Sequence, residues 1–154
     1  MVGTEAVGDI PVKNFLGGSW ADRAPNIGGE RLFKTLGLSE RSCTSCPYHC
    51  VIMHRTKTPP YDGIWGHAPE YETLAAFGTC CDNDHLESIS KANDLCSEYG
   101  IDTISAGVAV GFAVEAFEAG LLTMKDTDGL ELTWGNHQGI CALVEKIGER
   151  QGLG

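Results

Sequence analysis

No apolar run in this chain is long enough to cross a bilayer. The most apolar stretch, Ile104 to Phe117, falls short of the roughly 20 residues a spanning helix needs and runs into Glu115 and Glu118. The first residues, Met1-Val-Gly-Thr-Glu, hold neither a basic patch nor an apolar run, so no targeting leader is read there. Basic residues are scarce, 11 against 21 acidic ones, and the net charge of -10 opposes phosphate backbones and anionic lipid. Neither nucleic acid nor a membrane is therefore an expected partner. Repeats of fixed period and low-complexity tracts are missing, which excludes solenoids and arrays. A paired cysteine framework is missing too. There are seven cysteines, an odd number, several of them clustered, which fits a metal site in a reducing compartment, the cytoplasm, better than secreted disulfides.

With 154 residues, 42% of them apolar and 21% charged, the chain has the makings of one ordinary globular core. Its 20 glycines fall mostly between periodic segments, so many short elements joined by tight turns are expected. Residues 1–26 hold Pro11, Gly17, Gly18 and Pro25 around isolated apolar residues and read as irregular chain lying on something else. Leu32, Phe33 and Leu36 share one face of a short helix over 29–38. The segments Cys50 to Thr56 and Tyr61 to Gly66, on either side of Pro59-Pro60, read as a short β-hairpin. From residue 83 helical signals dominate. Asp84 with Glu87 makes a capping box, Leu86, Ile89, Asn93 and Cys96 recur at helical spacing, and Gly100 supplies a left-handed stop. A second helix, over 107–119, is apolar all round and should be covered on several faces. A third, over 138–150, takes Asn136 as its cap. The fold class is mainly α: multihelical, with an irregular N-terminal segment and a hairpin after the cysteines.

The densest chemistry lies in Cys43-Thr-Ser-Cys46-Pro-Tyr-His-Cys50, three thiols within eight residues. Thiolates favour zinc, copper(I) or iron-sulfur clusters over hard cations. A four-iron four-sulfur cluster takes four cysteines and commonly draws three from one tight run. Zinc sites usually bring ligands as two pairs, and no second C-x2-C or H-x3-H follows here. The spacing ranks the cluster first and a zinc-stabilised or electron-transfer module second. His49 adjoins the run and is read as a surface residue, and Cys80, Cys81, Cys96 and Cys141 as small buried hydrophobes.

Four stretches taken together, Ile10-Pro-Val-Lys-Asn-Phe15, the cysteine run, Pro69-Glu-Tyr-Glu-Thr73 and Asn93 to Gly107, resemble the aldehyde ferredoxin oxidoreductase family of tungsten-pterin enzymes. Leu132-Thr-Trp-Gly135, followed by an amphipathic helix, is also similar to the family pattern. The resemblance implies that 1–154 is part of the helical middle or C-terminal region of a longer enzyme, inactive by itself. The N-terminal pterin-binding domain and the C-terminal remainder would lie outside it. It further implies a tungsten (or molybdenum) bis-pterin and one 4Fe-4S cluster. The reaction would be oxidation of a small aldehyde to the carboxylate, with electrons passing through the cluster to ferredoxin. A benzoyl-CoA reductase-type member running as a reduction is the alternative within the family. The resemblance leaves room for a homo-oligomer of the full-length protein.

On this resemblance Cys43, Cys46 and Cys50 match three cluster ligands, with the fourth expected in a D-x-x-G-L-C motif beyond residue 154. The stretch Ser97 to Asp102 is similar to the family's D-x-x-G-L-D pterin motif, carried here by Gly100, Ile101 and Asp102, with Ser97 where the family has Asp. A carboxylate suits a pterin edge because it accepts from N–H donors. Taken without the resemblance, Gly100-Ile-Asp is a helix stop followed by a cap. Glu70 and Glu72 are similar to the family's acidic pair near the tungsten, Glu70 being the favoured proton acceptor. Their local reading is two solvated glutamates opening a helix.

Overall fold

Side-chain caps set the starts of the three longest helices of this chain. The computed structural model describes residues 1–154 and holds helices α1 (Val2–Ala6), α2 (Gly29–Leu36), α3 (Tyr71–Phe77), α4 (Leu86–Tyr99), α5 (Thr103–Glu118) and α6 (His137–Glu149). Two 3-10 turns, Ala24–Ile27 and Thr79–Cys81, and strands β1 (Gly37–Arg41), β2 (Val51–Arg55) and β3 (Trp65–His67) complete it. The class is mainly α, as the sequence indicates.

α4 ends where Gly100 takes φ 68 and its N–H bonds the Cys96 carbonyl, the left-handed stop that glycine adopts without a Cβ clash. Two residues on, Asp102 caps α5, its Oδ2 accepting from the Ser105 N–H at 2.7 Å. Asn136 caps α6 in the same way, through the Gly139 N–H at 3.2 Å. The start of α4 differs from the expected capping box. His85, not Asp84, is the cap, its Nδ1 accepting from the Ser88 N–H at 3.2 Å. Asp84 is drawn away by Arg23 at 3.0 Å and Asn26 at 2.8 Å, and the Arg23 hydrogen bond holds its carboxyl below the usual range.

The core forms where α3, α4, α5 and α6 meet, around Phe77, Ile89, Val110, Val114, Ile140 and Val144. α5 sits close on α3 and the following turn because two glycines face them. A Cβ on Gly107 would come 2.5 Å from the Ala76 Cβ, and one on Gly111 would come 2.8 Å from the Cys80 sulfur. Overpacking of this kind costs about 1–3 kcal/mol, more than the ~1 kcal/mol alanine gains over glycine in a helix. Only that face of α5 is covered. Ile104, Val108 and Phe112 on another face are 46%, 44% and 65% exposed, so the expectation of cover on several faces fails within these residues. No helix is long and apolar enough to cross a membrane.

The N-terminal segment is less irregular than expected, with one short helix and one 3-10 turn, but it does lie on the helices. Val12, Trp20, Ala24 and Ile27 are buried in the core. The segment is pinned through Asp82, which accepts from Trp20 Nε1 at 2.8 Å and pairs with Arg23 at 2.5 Å. Lys13, Asn14 and Phe15, within the first family-like stretch, all have positive φ (48, 50 and 68). Lys13 and Asn14 hold that turn by donating backbone N–H groups to Thr79 and Cys80, each at 3.0 Å.

β2 and β3 pair antiparallel as the expected hairpin, Met53 opposite His67 and Arg55 opposite Trp65. β1 adds a third strand on the other side of β2, with Arg41 opposite Val51. Its sequence, Gly-Leu-Ser-Glu-Arg, lacks the alternation that marks a strand, and it extends by pairing with β2.

The connection between β2 and β3 docks on the helices through the buried Tyr61. Its hydroxyl lies 2.8 Å from His137 Nδ1, and the His85 and His137 rings stack 4.3 Å apart. Burial, and then the charge His85 carries when protonated, lower the His137 pKa below its ordinary 6.5. The neutral ring is therefore the form the fold prefers. Its contribution is complete above about pH 6.5 and is lost as pH falls through the lowered folded value. Chemical denaturation at stepwise pH should show stability declining from pH 7 to pH 5. His137→Gln should flatten part of that decline, and a variant profile parallel to the parent would contradict the assignment.

Candidate functional site

The three clustered cysteines lie on the loop, residues 42–50, that joins β1 to β2, so strand pairing at Arg41 and Val51 fixes both of its ends. Within the loop Cys46 N–H donates to the Cys43 carbonyl at 3.0 Å, and Ser45 takes φ 62, a turn that brings the chain back on itself. Cys43 and Cys50 are exposed, Cys46 is half-buried, and all are free thiols. No three His, Cys, Asp or Glu side chains are gathered closely enough to hold a metal ion. The fit to an iron-sulfur cluster rests on the donors: three soft, unpaired thiols presented by one anchored loop. Cys80, Cys81, Cys96 and Cys141 are buried, as read from the sequence, and burial pushes each thiol upward, Cys96 and Cys141 to about 11. Buried neutral thiols of this kind are packing groups.

Glu70 and Glu72 reach their places from the same sheet. After β3 the chain continues as Ala68, whose N–H donates to the Ile52 carbonyl at 2.8 Å. β2 begins and β3 ends on the same side, so the cysteine loop and the segment bearing the glutamates leave one end of the sheet. Glu70 is the cap residue of α3 and Glu72 lies in its first turn, where negative charge suits the helix dipole. Both carboxylates are exposed. The closed apolar pocket that would strengthen a glutamate base is not built by these residues alone.

The two carboxylates wall a hollow of about 420 Å³ with His67, Asn93, Ser97 and Thr103. The Glu pair and Ser97, first residue of the pterin-like motif, thus share one cavity. Gly100, Ile101 and Asp102 of the same motif do not line it, and Asp102 is exposed. Ser105 bonds lower the Asp102 pKa, and one carboxylate oxygen is committed to the cap. The local reading of Gly100-Ile-Asp as stop and cap is what the backbone shows. Thr73 and Thr103 join the two helix starts through a hydroxyl pair at 2.8 Å.

Sequence reasoning missed His67, Asn93 and Thr103 as cavity residues. Asn93 occupies a helical core position by spacing, yet it is half-buried and donates Nδ2 to the His67 carbonyl at 3.2 Å. His54, unassigned from sequence, is buried, while His49 is exposed as expected.

The structure thus presents a cavity walled by two carboxylates and, on the β1–β2 loop, three free thiols. The model of the aldehyde ferredoxin oxidoreductase family, domains 2 and 3, matches residues 1–154, and the chain belongs to that family. It is 33% identical over 148 residues to a tungsten-containing aldehyde ferredoxin oxidoreductase of Pyrococcus furiosus, covering 96% of this chain and 24% of that protein. The corresponding protein of Thermococcus kodakarensis is 34% identical with the same coverage, 96% and 24%. A Pyrococcus furiosus protein named aliphatic sulfonate oxidoreductase, WOR-like subunit, is 36% identical over 109 residues, 71% of this chain and 17% of that protein. The chain spans about a quarter of the length of the tungsten-containing relatives it matches.

Proposed function

We propose that this chain supplies the electron-transfer ligands and the acid-base wall of a tungsten-dependent aldehyde oxidoreductase that delivers electrons to ferredoxin. The observation that supports the reading is the antiparallel pairing of β2 with β3, because the thiol loop and the segment bearing Glu70 leave the sheet at the same end. Proton and electron leave a substrate together only where a base and an electron acceptor lie close, and one sheet end supplies both. The aldehyde is favoured over the sulfonate because the relatives named for it match along 96% of the chain, against 71% for the sulfonate protein.

Cys43, Cys46 and Cys50 would hold the 4Fe-4S cluster, and Asp102, with the Gly100-Ile101 turn, would accept from a pterin N–H edge. When bound, the tungsten-pterin group and the cluster supply the two-electron and one-electron redox chemistry. The protein's own part is positional and protic. Glu70, on the cavity wall, accepts a proton from water or the aldehyde hydrate, and Glu72 holds a second negative charge two residues along. Covering the hollow would strip water from Glu70 and make it a stronger base.

In the intact gene product purified without oxygen, Cys46→Ser should remove the broad visible absorption of the cluster and the ferredoxin-linked rate together. An unchanged spectrum would contradict the ligand assignment. Glu70→Gln should slow turnover by about 100-fold or more, the usual scale of general-base catalysis, and leave iron and tungsten content unchanged. Near-normal turnover would move the base to Glu72.

A further inference from the structure

Charge is divided unevenly along this chain. Residues 31–57, which run from α2 through β1, the thiol loop and β2, hold five basic residues, Arg31, Lys34, Arg41, Arg55 and Lys57, against one acidic, Glu40. That segment carries +4 within a chain of -10, which leaves -14 on all the rest. The five basic residues are exposed. Only Lys34 is paired, with Glu30 on its own helix. Elsewhere Lys13, Arg23, Lys91 and Lys146 each pair with an aspartate. Arg31, Arg41, Arg55 and Lys57 have no carboxylate partner, although the chain has 21 acidic residues. Their uncompensated charge makes this one face positive on an otherwise negative molecule.

The cations are also near one another in space. α2 packs on β1 and β2, Arg41 ends β1 where the thiol loop begins, and Arg55 ends β2 at the far end of the sheet. A five-residue strand is about 17 Å long. A small electron-transfer contact, under about 600 Å² a side, is roughly 28 Å across, so one footprint reaches from the loop to Arg55. Within it the loop offers Tyr48, 73% exposed, and β1 offers Leu38, 51% exposed. Aromatic and apolar groups inside a charged rim make a protein docking face.

We propose that this face docks a small acidic protein that carries a one-electron acceptor. The proposal rests on the preceding reading for the redox role of the thiol loop, and deepens it by naming the surface through which the electron leaves. Arg31, Arg41, Arg55 and Lys57 steer and orient the partner, and Tyr48 with the loop makes the close contact. At each encounter one electron passes from the loop-held cluster, which is oxidised, to the partner's acceptor, which is reduced. Two encounters clear the pair taken from one aldehyde. A long polyanion such as nucleic acid would run past this patch onto a surface that repels it. A compact acidic protein meets the patch alone.

The test uses the intact gene product purified without oxygen. The probes are an acidic ferredoxin, a basic cytochrome c, and a small uncharged quinone as an acceptor that needs no docking. Ferredoxin binding, read by calorimetry, should weaken steeply between about 0.01 M and about 1 M salt, as the screening length falls from about 30 Å to about 3 Å. Arg55→Glu combined with Lys57→Glu should weaken it by about tenfold at low salt, the lower end of electrostatic steering, and by much less at high salt. The same pair should raise KM for ferredoxin and leave kcat with the quinone unchanged. Arg55→Gln with Lys57→Gln, which adds no repulsion, should act in the same direction to a smaller degree and serves if the reversal does not fold. Ferredoxin binding indifferent to salt or to the folded variants overturns the proposal, as does tighter binding of cytochrome c. Salt-sensitive assembly of the protein with itself in place of ferredoxin binding also overturns it and assigns the face to a second copy. Ferredoxin bound without any aldehyde-to-quinone rate defeats the preceding reading alone, and a quinone rate without ferredoxin binding defeats the docking face alone.

Discussion

The pairing of Val51–Arg55 with Trp65–His67 is the constraint on which the candidate site depends. Antiparallel strands fix which residues emerge together at each end, because a slip of one residue would turn every side chain to the opposite face. In this register the thiol loop enters and Glu70 leaves at the same end, while His54 turns inward and Trp65 sits on the edge strand. A three-stranded sheet this small gains little stability from its own backbone bonds. It is held in place by α2 on one side and by the Tyr61–His137–His85 contact on the other.

A second constraint places the helices against that sheet. Gly107 and Gly111 let α5 approach α3 closely enough for the Thr73 and Thr103 hydroxyls to meet at 2.8 Å. The start of α3, with its glutamates, and the start of α5, capped by Asp102, therefore face one hollow. Charge and hydrogen-bond acceptors meet there, between two helix starts and the last residues of β3. Most of the remaining chain supports that meeting. The buried cysteines, the Arg23–Asp82 anchor and the left-handed turn at Lys13–Phe15 all hold the N-terminal segment or the core in place.

Much of this was legible in the residues. Gly100 as stop, Asn136 as cap, the hairpin about the Pro59-Pro60 pair and the burial of Cys80, Cys81, Cys96 and Cys141 follow from local chemistry that tertiary contacts did not override. β1 was not legible, since Gly37–Arg41 has no alternating pattern and takes its conformation from β2. Asp84 was misread as a cap because its spacing to Glu87 fits a capping box, while Arg23, distant in sequence, competes for the same carboxylate. α5 appeared wholly buried because composition reports hydrophobicity and not neighbours, and Phe112 is 65% exposed. The cysteine motif and the glutamates could be named from sequence. That they leave one end of the sheet could not, because it depends on strand pairing, and His54 gave no signal because a lone histidine in a strand looks like any other.

On the proposed function, the loop bearing Cys43, Cys46 and Cys50 would hold iron at the sheet end from which the Glu70 segment leaves. X-ray absorption at the iron edge of the intact gene product, purified without oxygen, tests it most directly. The account predicts a nearest shell of sulfur alone, with further iron atoms just behind it. A shell of nitrogen and oxygen, or a preparation carrying zinc in place of iron, would contradict it.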